Sequence, residues 1–305
     1  MNDSVEQPRI LLVGHDGQVG LQLQACLQSV GNVVTAGLST STLSPMLALD
    51  LNDSNNIRQV VNIAKPHIIV NAAAYTAVDK AESDIELATA INATAVGVLA
   101  EEAEKMGALL VHYSTDYIFN GKGQRPYLET DTPDPRSVYG ETKLAGELAI
   151  QATGCEHLIL RTAWVYGLYG QNFLLTMQRL AQERAELNVV ADQFGSPTWS
   201  FTIAHVTSQI LSQWYSPLLN ANKTDLTGVY HLTSTGSTHW CEFAQAIMRH
   251  LAKPATVHPI TTAEYPTPAE RPTYSVLATD KLTKTFGIYL PDWQDALKTC
   301  MAMRP

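Results

Sequence analysis

The sequence predicts a doubly wound parallel α/β sheet (a Rossmann fold) joined to a smaller α/β substrate-binding domain. Three observations predict it. Short apolar runs at residues 9–13, 67–70, 109–113 and 157–161 alternate with stretches of helical periodicity, the pattern of β-α-β units. A glycine triplet joins the first run to the first helix. The later runs end in small or polar residues, which leaves one rim of the sheet free for ligands.

In chain order, residues 9–14 (RILLVG) form a buried strand. Gly14, Gly17 and Gly20 follow as G-x-x-G-x-x-G, with Leu21, Leu23, Cys26 and Leu27 at helical spacing behind them. The first glycine permits the tight turn, the second lets the backbone approach a pyrophosphate, and the third lets the helix pack on the strand. The N–H groups of Gln18, Val19 and Gly20 open that helix and supply partial positive charge for phosphates. Residues 33–36 are the second strand. An NAD site usually carries an acid at its end, to accept from the ribose 2′-hydroxyl. Here the sequence is Gly37-Leu38-Ser39-Thr40-Ser41, without acid, Arg or Lys. That favours NADPH with tolerance for NADH, and Ser39 is a donor toward a 2′-phosphate.

Asp50 and Leu51 precede a helix over about 54–64; Asp50 reads either as an adenine contact or as a helix cap. After the 67–70 strand come Asn71, Ala72, Ala73, Ala74, Tyr75 and Thr76, whose small side chains let a cofactor lie against backbone. Residues 78–82 (VDKAE) read as a solvated turn. A long helix is predicted over 84–106, closed by Gly107; Asn92 on its apolar side is either a satisfied core amide or the holder of a water near Lys143. Tyr113 ends the next strand among the cofactor-lining residues, and Ser114, Thr115 and Asp116 follow.

A helix opening at Ser137 or Val138 puts Tyr139 and Lys143 one turn apart, roughly 5–6 Å at Cβ. The ammonium is expected to lower the phenol pKa and fit Tyr139 to pass a proton to a substrate oxygen. A hydroxyl from Thr115 or Ser114 serves the same oxygen. Further on, the strand 157–162 leads to Trp164, which reads as core or as the wall of a sugar site. Helices follow at about 172–184, 201–215 and 240–252, and residues 228–232 form a strand that rejoins the sheet. Arg271, in a Pro-rich stretch from 254 to 272, is either a phosphate contact or a surface cation. The dinucleotide-binding domain is expected at 1–164 plus about 198–234, and the substrate-binding domain at about 165–197 plus 235–305.

The formal net charge of -9 argues against nucleic acid or an anionic membrane as partner. No apolar run approaches the roughly 20 residues of a membrane span. The polar N-terminus lacks an apolar signal core, and four scattered cysteines read as free thiols of a reducing, cytoplasmic setting. They form no metal-ligand cluster.

Taken together, the Gly14/Gly17/Gly20 turn, the Thr115 strand end and the Tyr139-x-x-x-Lys143 helix resemble the extended short-chain dehydrogenase/reductases, and most nearly the dTDP-4-dehydrorhamnose reductases. The resemblance rests on GQVG at 17–20, VNAAAYTAVDKAE at 70–82, HYSTDYIF at 112–119, VYGETKLAGE at 138–147, RTAWVYG at 161–167, DQFGSPT at 192–198, YPTPAERP at 265–272 and LPDW at 290–293. It implies NADPH- or NADH-dependent reduction of the 4-keto group of dTDP-4-dehydro-6-deoxy-L-mannose to dTDP-L-rhamnose. By the same resemblance Tyr139 donates the proton, Lys143 holds the nicotinamide ribose and lowers the Tyr pKa, and Thr115 orients the keto oxygen. Asp116, Trp164 and Arg271 fall to the nucleotide-sugar substrate. The family often dimerises, and some members use Mg²⁺. Two rivals share many of these motifs: another nucleotide-sugar epimerase or dehydratase of the extended family, which retains its NAD, and a non-catalytic reductase-like regulatory subunit.

Overall fold

The computed structural model describes residues 7–38, 46–216 and 223–303. Its centre is a seven-stranded sheet. The strands are β1 (Arg9–Val13), β2 (Asn32–Gly37), β3 (Met46–Ala48), β4 (Ile68–Asn71), β5 (Leu109–Thr115), β6 (His157–Thr162) and an edge strand, Gly228–His231. Their order across the sheet is edge strand, β6, β5, β4, β1, β2, β3. Every neighbouring pair is parallel, so all carboxyl ends share one rim. The chain reverses its direction of travel between β1 and β4, which is where such sheets bind ligands.

The apolar runs bury both faces, as parallel strands must. Ile10 and Leu12 of β1 point to one core with Ile68, Val70, Leu109, Val111, Leu158 and Leu160. Leu11 and Val13 point to the other with Ile69, Leu110 and Ile159. Each such side chain contributes about 1.5–3 kcal/mol when fully buried. The first core is closed by α1 (Gln18–Cys26) and the helix Ser200–Trp214, the second by α2 (Ser54–Ala64) and the helices Ala95–Met106 and Val138–Thr153. A third apolar cluster holds Tyr166, Leu174, Trp199, Phe243, Ile247 and Trp293, away from the sheet. Around it lie two-stranded pairs, among them Thr256–Ile260 parallel to Glu186–Val190.

Several expectations need correction. The helix predicted over 84–106 is Ile85–Thr89, a π turn at Ala90–Thr94, then Ala95–Met106. The cause is Asn92. Its Oδ1 accepts from Tyr75 N at 2.8 Å, while its Nδ2 donates to Tyr75 O at 3.1 Å and to Thr142 Oγ1 at 3.2 Å. Asn92 is thus a satisfied core amide. The solvated turn at 78–82 is instead a short helix, Val78–Ala81, with Asp79 and Glu82 engaged in tertiary contacts. β3 escaped notice because three residues are too few to show a period. The helix from Trp240 ends at Met248 rather than near 252. Ser39 and the chain to residue 45 lie outside the described residues. All four cysteines are free, with Cys26 only half-buried.

Candidate active site

The glycine turn sits at the switch between β1 and β4. Gly14 has φ +77°, a left-handed conformation that L side chains rarely adopt. A Cβ on Gly20 would lie 2.0 Å from Gly14 O, so only glycine lets α1 start this close to β1. At Gly17 a Cβ would meet Gly14 O only at 3.5 Å, which leaves the approach to the turn open. No side chain caps α1 at Gly17, so the N–H groups of its first turn face outward. These are the features an NAD(P) pyrophosphate requires. The Gln18 side chain is engaged elsewhere, with Gln171 O at 3.2 Å and Asn172 Nδ2 at 2.9 Å. Val19 packs on the first core. Ala72 N bonds Val13 O, and Ala73 N bonds Asn71 Oδ1, so residues 72–74 run directly beside the glycine turn. Thr76 is exposed. Asp53, not Asp50, caps α2 by accepting from Asn55 N and Asn56 N. Asp50 is exposed, with Leu51 half-buried beside it, and its Oδ1 accepts from Asn52 N.

Along the rim, β5 ends in Thr115, and the helix Val138–Thr153 stands against it. Two side chains fix the start of that helix: Ser137 Oγ accepts from Gly140 N at 3.2 Å, and Glu82 Oε1 accepts from Val138 N at 2.9 Å. Gly140 permits the close packing, since a Cβ there would lie 2.3 Å from Tyr117 O. Tyr139 is thereby brought to the end of β5, its ring edge-on to Tyr117 with centroids 5.6 Å apart. Burial pushes the Tyr139 phenol well above its usual range, and a hydrogen bond with Thr115 opposes that shift. This corrects the expectation that Lys143 lowers it. Lys143 is buried, and its Nζ lies 3.1 Å from His112 Nε2 and donates to Tyr113 O at 2.7 Å. Burial pushes Lys143 down to about 8, with Glu147 opposing. His112 is fully buried, and burial with the neighbouring ammonium holds it well below the usual histidine range. Tyr113 offers the rim only its carbonyl; its ring lies in the first core and its hydroxyl bonds Thr207 Oγ1 at 2.8 Å.

Asp116 is buried beside Thr115, whose hydroxyl donates to its Oδ1 at 3.1 Å. Burial pushes this carboxyl up to about 6, with the Ser275 and Thr115 hydroxyls opposing. Arg271 is neither a free surface cation nor an unpaired anion site. Its Nη2 lies 2.6 Å from Asp79 Oδ2, its Nη1 lies 3.4 Å from the Tyr117 hydroxyl, and its guanidinium sits over the Tyr117 ring. Burial raises the Tyr117 phenol to about 12, with Arg271 opposing. Trp164, just past β6, has φ +48° and stacks on Trp240 with centroids 3.6 Å apart. Such a backbone costs on the order of 1–3 kcal/mol, and the stack holds it in place.

The rim therefore unites the glycine turn, residues 72–74, Thr115, Asp116 and Tyr139, with Lys143 beneath them and Trp164 at the side. Sequence reasoning missed Asn71 and His112 as a pair, Asp79, Tyr117 and Trp240. His112 carried a signal, as a polar residue inside an apolar strand; Asp79 and Trp240 carried none.

The RmlD substrate binding domain family model matches residues 8–304. A dTDP-4-dehydrorhamnose reductase of Burkholderia thailandensis is 45% identical over 301 residues, covering 96% of this chain and 98% of that protein. One from Escherichia coli K12 is 44% identical over 295 residues, covering 95% of each. Among solved structures, a dTDP-4-dehydrorhamnose reductase of Bacillus anthracis in complex with NADP superposes with a TM-score of 0.87 at 35% identity, covering 97% of this chain and 99% of that one.

Proposed function

The chain belongs to the RmlD substrate-binding-domain family, and from that premise we propose that it reduces the 4-keto group of dTDP-4-dehydro-6-deoxy-L-mannose to dTDP-L-rhamnose with NADPH or NADH. The observation that carries this reading is the meeting of Tyr139 and Thr115 on the rim that also bears an open glycine turn.

A bound nicotinamide cofactor supplies the hydride. The chain does the rest. The first turn of α1 would hold the pyrophosphate, and residues 72–74 would give the cofactor a wall without bulky side chains. Thr115 and Tyr139 meet the keto oxygen together. Tyr139, kept protonated by its burial, donates to that oxygen as negative charge develops on it. Lys143 would hold the nicotinamide ribose. Trp164 bounds the sugar, and Asp116 and Arg271 bound the rest of the nucleotide sugar. The absence of an acid at Gly37 favours NADPH over NADH.

Among the described residues there is no group of three or more His, Cys, Asp or Glu side chains fit to hold a metal, and no role is given to Mg²⁺. Among those residues, too, no helix is long and apolar enough to cross a membrane. A cytoplasmic homodimer is the state proposed for the working enzyme.

The test is oxidation of NADPH and NADH in parallel, with the 4-dehydrorhamnose nucleotide generated in situ. Expected is turnover with both, faster with NADPH at low concentration, and a rhamnose nucleotide as product. Purified protein carrying stoichiometric bound NAD and giving no net oxidation would overturn the reading in favour of an epimerase or dehydratase.

A further inference from the structure

Beneath the rim, a buried chain of hydrogen bonds leads to Lys143, and heavy-atom positions fix its direction. Asn71 and His112 stand side by side on β4 and β5 in register, with Asn71 Nδ2 and His112 Nδ1 3.1 Å apart. The orientation of the Asn71 amide is set from outside the pair. Ala73 N, a donor only, lies 3.2 Å from Asn71 Oδ1. The Nδ2 end must therefore face His112 and donate to Nδ1, since turning the amide would set two N–H groups against each other. A neutral imidazole that accepts at Nδ1 carries its proton at Nε2. That proton points at Lys143 Nζ, 3.1 Å away, which must accept it through an amine lone pair. Lys143 then donates to Tyr113 O at 2.7 Å. An ammonium at Lys143 would need the reverse arrangement, with His112 protonated at Nδ1 and the Asn71 amide turned away from Ala73.

We propose that Asn71 and His112 are positioning residues that couple the protonation of Lys143 to the tautomer of His112 and to the backbone amide of Ala73. The neutral amine goes with an Nε2–H imidazole and an intact Ala73–Asn71 bond; the ammonium goes with an Nδ1–H imidazole and a broken one. The catalytic meaning of this coupling rests on the role given to Lys143 above. The groups facing Lys143 are Glu147 one turn on, itself paired with Arg161 at 2.7 Å, and His112 and the Tyr113 carbonyl from β5. Burial works in the same direction as the hydrogen-bond polarity, since both favour the neutral amine. Ala73 packs directly on Gly14. A ligand that displaces the Ala73 amide from Asn71 thus changes which protonation state Lys143 prefers, without touching Lys143.

The experiment reads the cofactor-free chain, so its outcome is independent of whether the reductase reading holds. The protein is labelled uniformly with ¹⁵N and ¹³C, His112 and Ala73 are assigned through the backbone, and the His112 ring nitrogens and the Ala73 amide are followed between about pH 6.5 and pH 9.5, spanning the Lys143 midpoint. Expected is an Nε2-protonated ring at the alkaline end and an Nδ1-protonated ring at the acid end, with the Ala73 amide shift moving at the same midpoint. Asn71→Asp keeps the acceptor for Ala73 but accepts from His112 Nδ1; it is expected to hold the ring Nδ1-protonated throughout and Lys143 charged to higher pH. An Nδ1-protonated ring at the alkaline end of the wild-type titration, or an Ala73 amide that does not move with the ring, overturns the proposal. So does a folded Asn71→Asp protein that keeps the Nε2 proton. If that variant does not fold, the wild-type titration decides alone.

Discussion

The central sheet and the region around the third apolar cluster solve the same packing problem in different ways. In the sheet, every neighbouring strand pair is parallel and the backbone ladder fixes each position; Asn71, His112 and Thr115 are placed by register. Outside it, the paired strands are two to five residues long, and large rings do the placing: Trp164 on Trp240, Phe173 on Trp240 and Phe243, Phe243 against Trp293. The proton donor Tyr139 and Lys143 stand on a helix packed against the sheet, with Lys143 bonded to the sheet residues His112 and Tyr113, and the ring proposed to meet the sugar stands on the aromatic stack. Chemistry and substrate choice thus rest on different kinds of support.

That division can be broken or sharpened by substitution. The largest effect is expected at the glycine turn. Gly20→Val drives a side chain into Gly14 O, at a cost of about 3 kcal/mol or more, and abolishes NADPH binding. Thermal unfolding and a fluorescence titration with NADPH check both. Next, Tyr139→Phe should lower turnover at least ~100-fold, the low end for a positioned acid, while NADPH affinity survives; near-normal turnover would sink the mechanism.

Asp116→Asn is a test by pH. Between pH 3.8 and about 6 the folded wild type holds a proton on Asp116 that the unfolded chain releases, so wild-type stability falls as pH rises through that window. The variant lacks that loss. Its stability relative to wild type should be greater near pH 7 than near pH 4 by about 2–3 kcal/mol, read from urea unfolding at the two values. The smallest effect is expected on the aromatic side: Trp240→Ala should raise KM for the sugar nucleotide ~10-fold, as expected for loss of about 1.4 kcal/mol of binding support, with kcat little changed. A kcat loss as large as that of Tyr139→Phe would mean that the two supports are not separate.

Much of the sheet was legible because its strands are apolar runs bounded by punctuation, and periodicity is a local property. The positions of Thr115, Tyr139 and Lys143 were legible for the same reason, since a strand end and an i,i+4 pair are local. What these groups touch was not. Lys143 meets His112 across 31 residues and Arg271 meets Asp79 across 192, and no pattern within a helix or strand announces either partner. The expected Tyr139–Lys143 coupling failed on this point: spacing sets where a helix residue emerges, and the partners available to Nζ decide where it turns. The π turn was illegible because its cause, the bonds of Asn92 to Tyr75 and Thr142, is tertiary.

That turn has a consequence for how this chain tolerates insertion and deletion. A π turn carries one residue more than an α-helical turn, and each residue advances a helix by about 100°. Deleting Asn92 would relax the backbone into a regular helix and, because the wide turn absorbs the one extra residue, would leave the segments on either side in phase. Tyr75 would lose its anchor on Asn92, and Thr142, on the helix that carries Tyr139, would lose the same amide. The segment would be locally more regular and the acid-donating tyrosine less well held. In this stretch one amide matters more than the regularity of the helix: substitutions at the positions around it should pass, and loss of Asn92 should not.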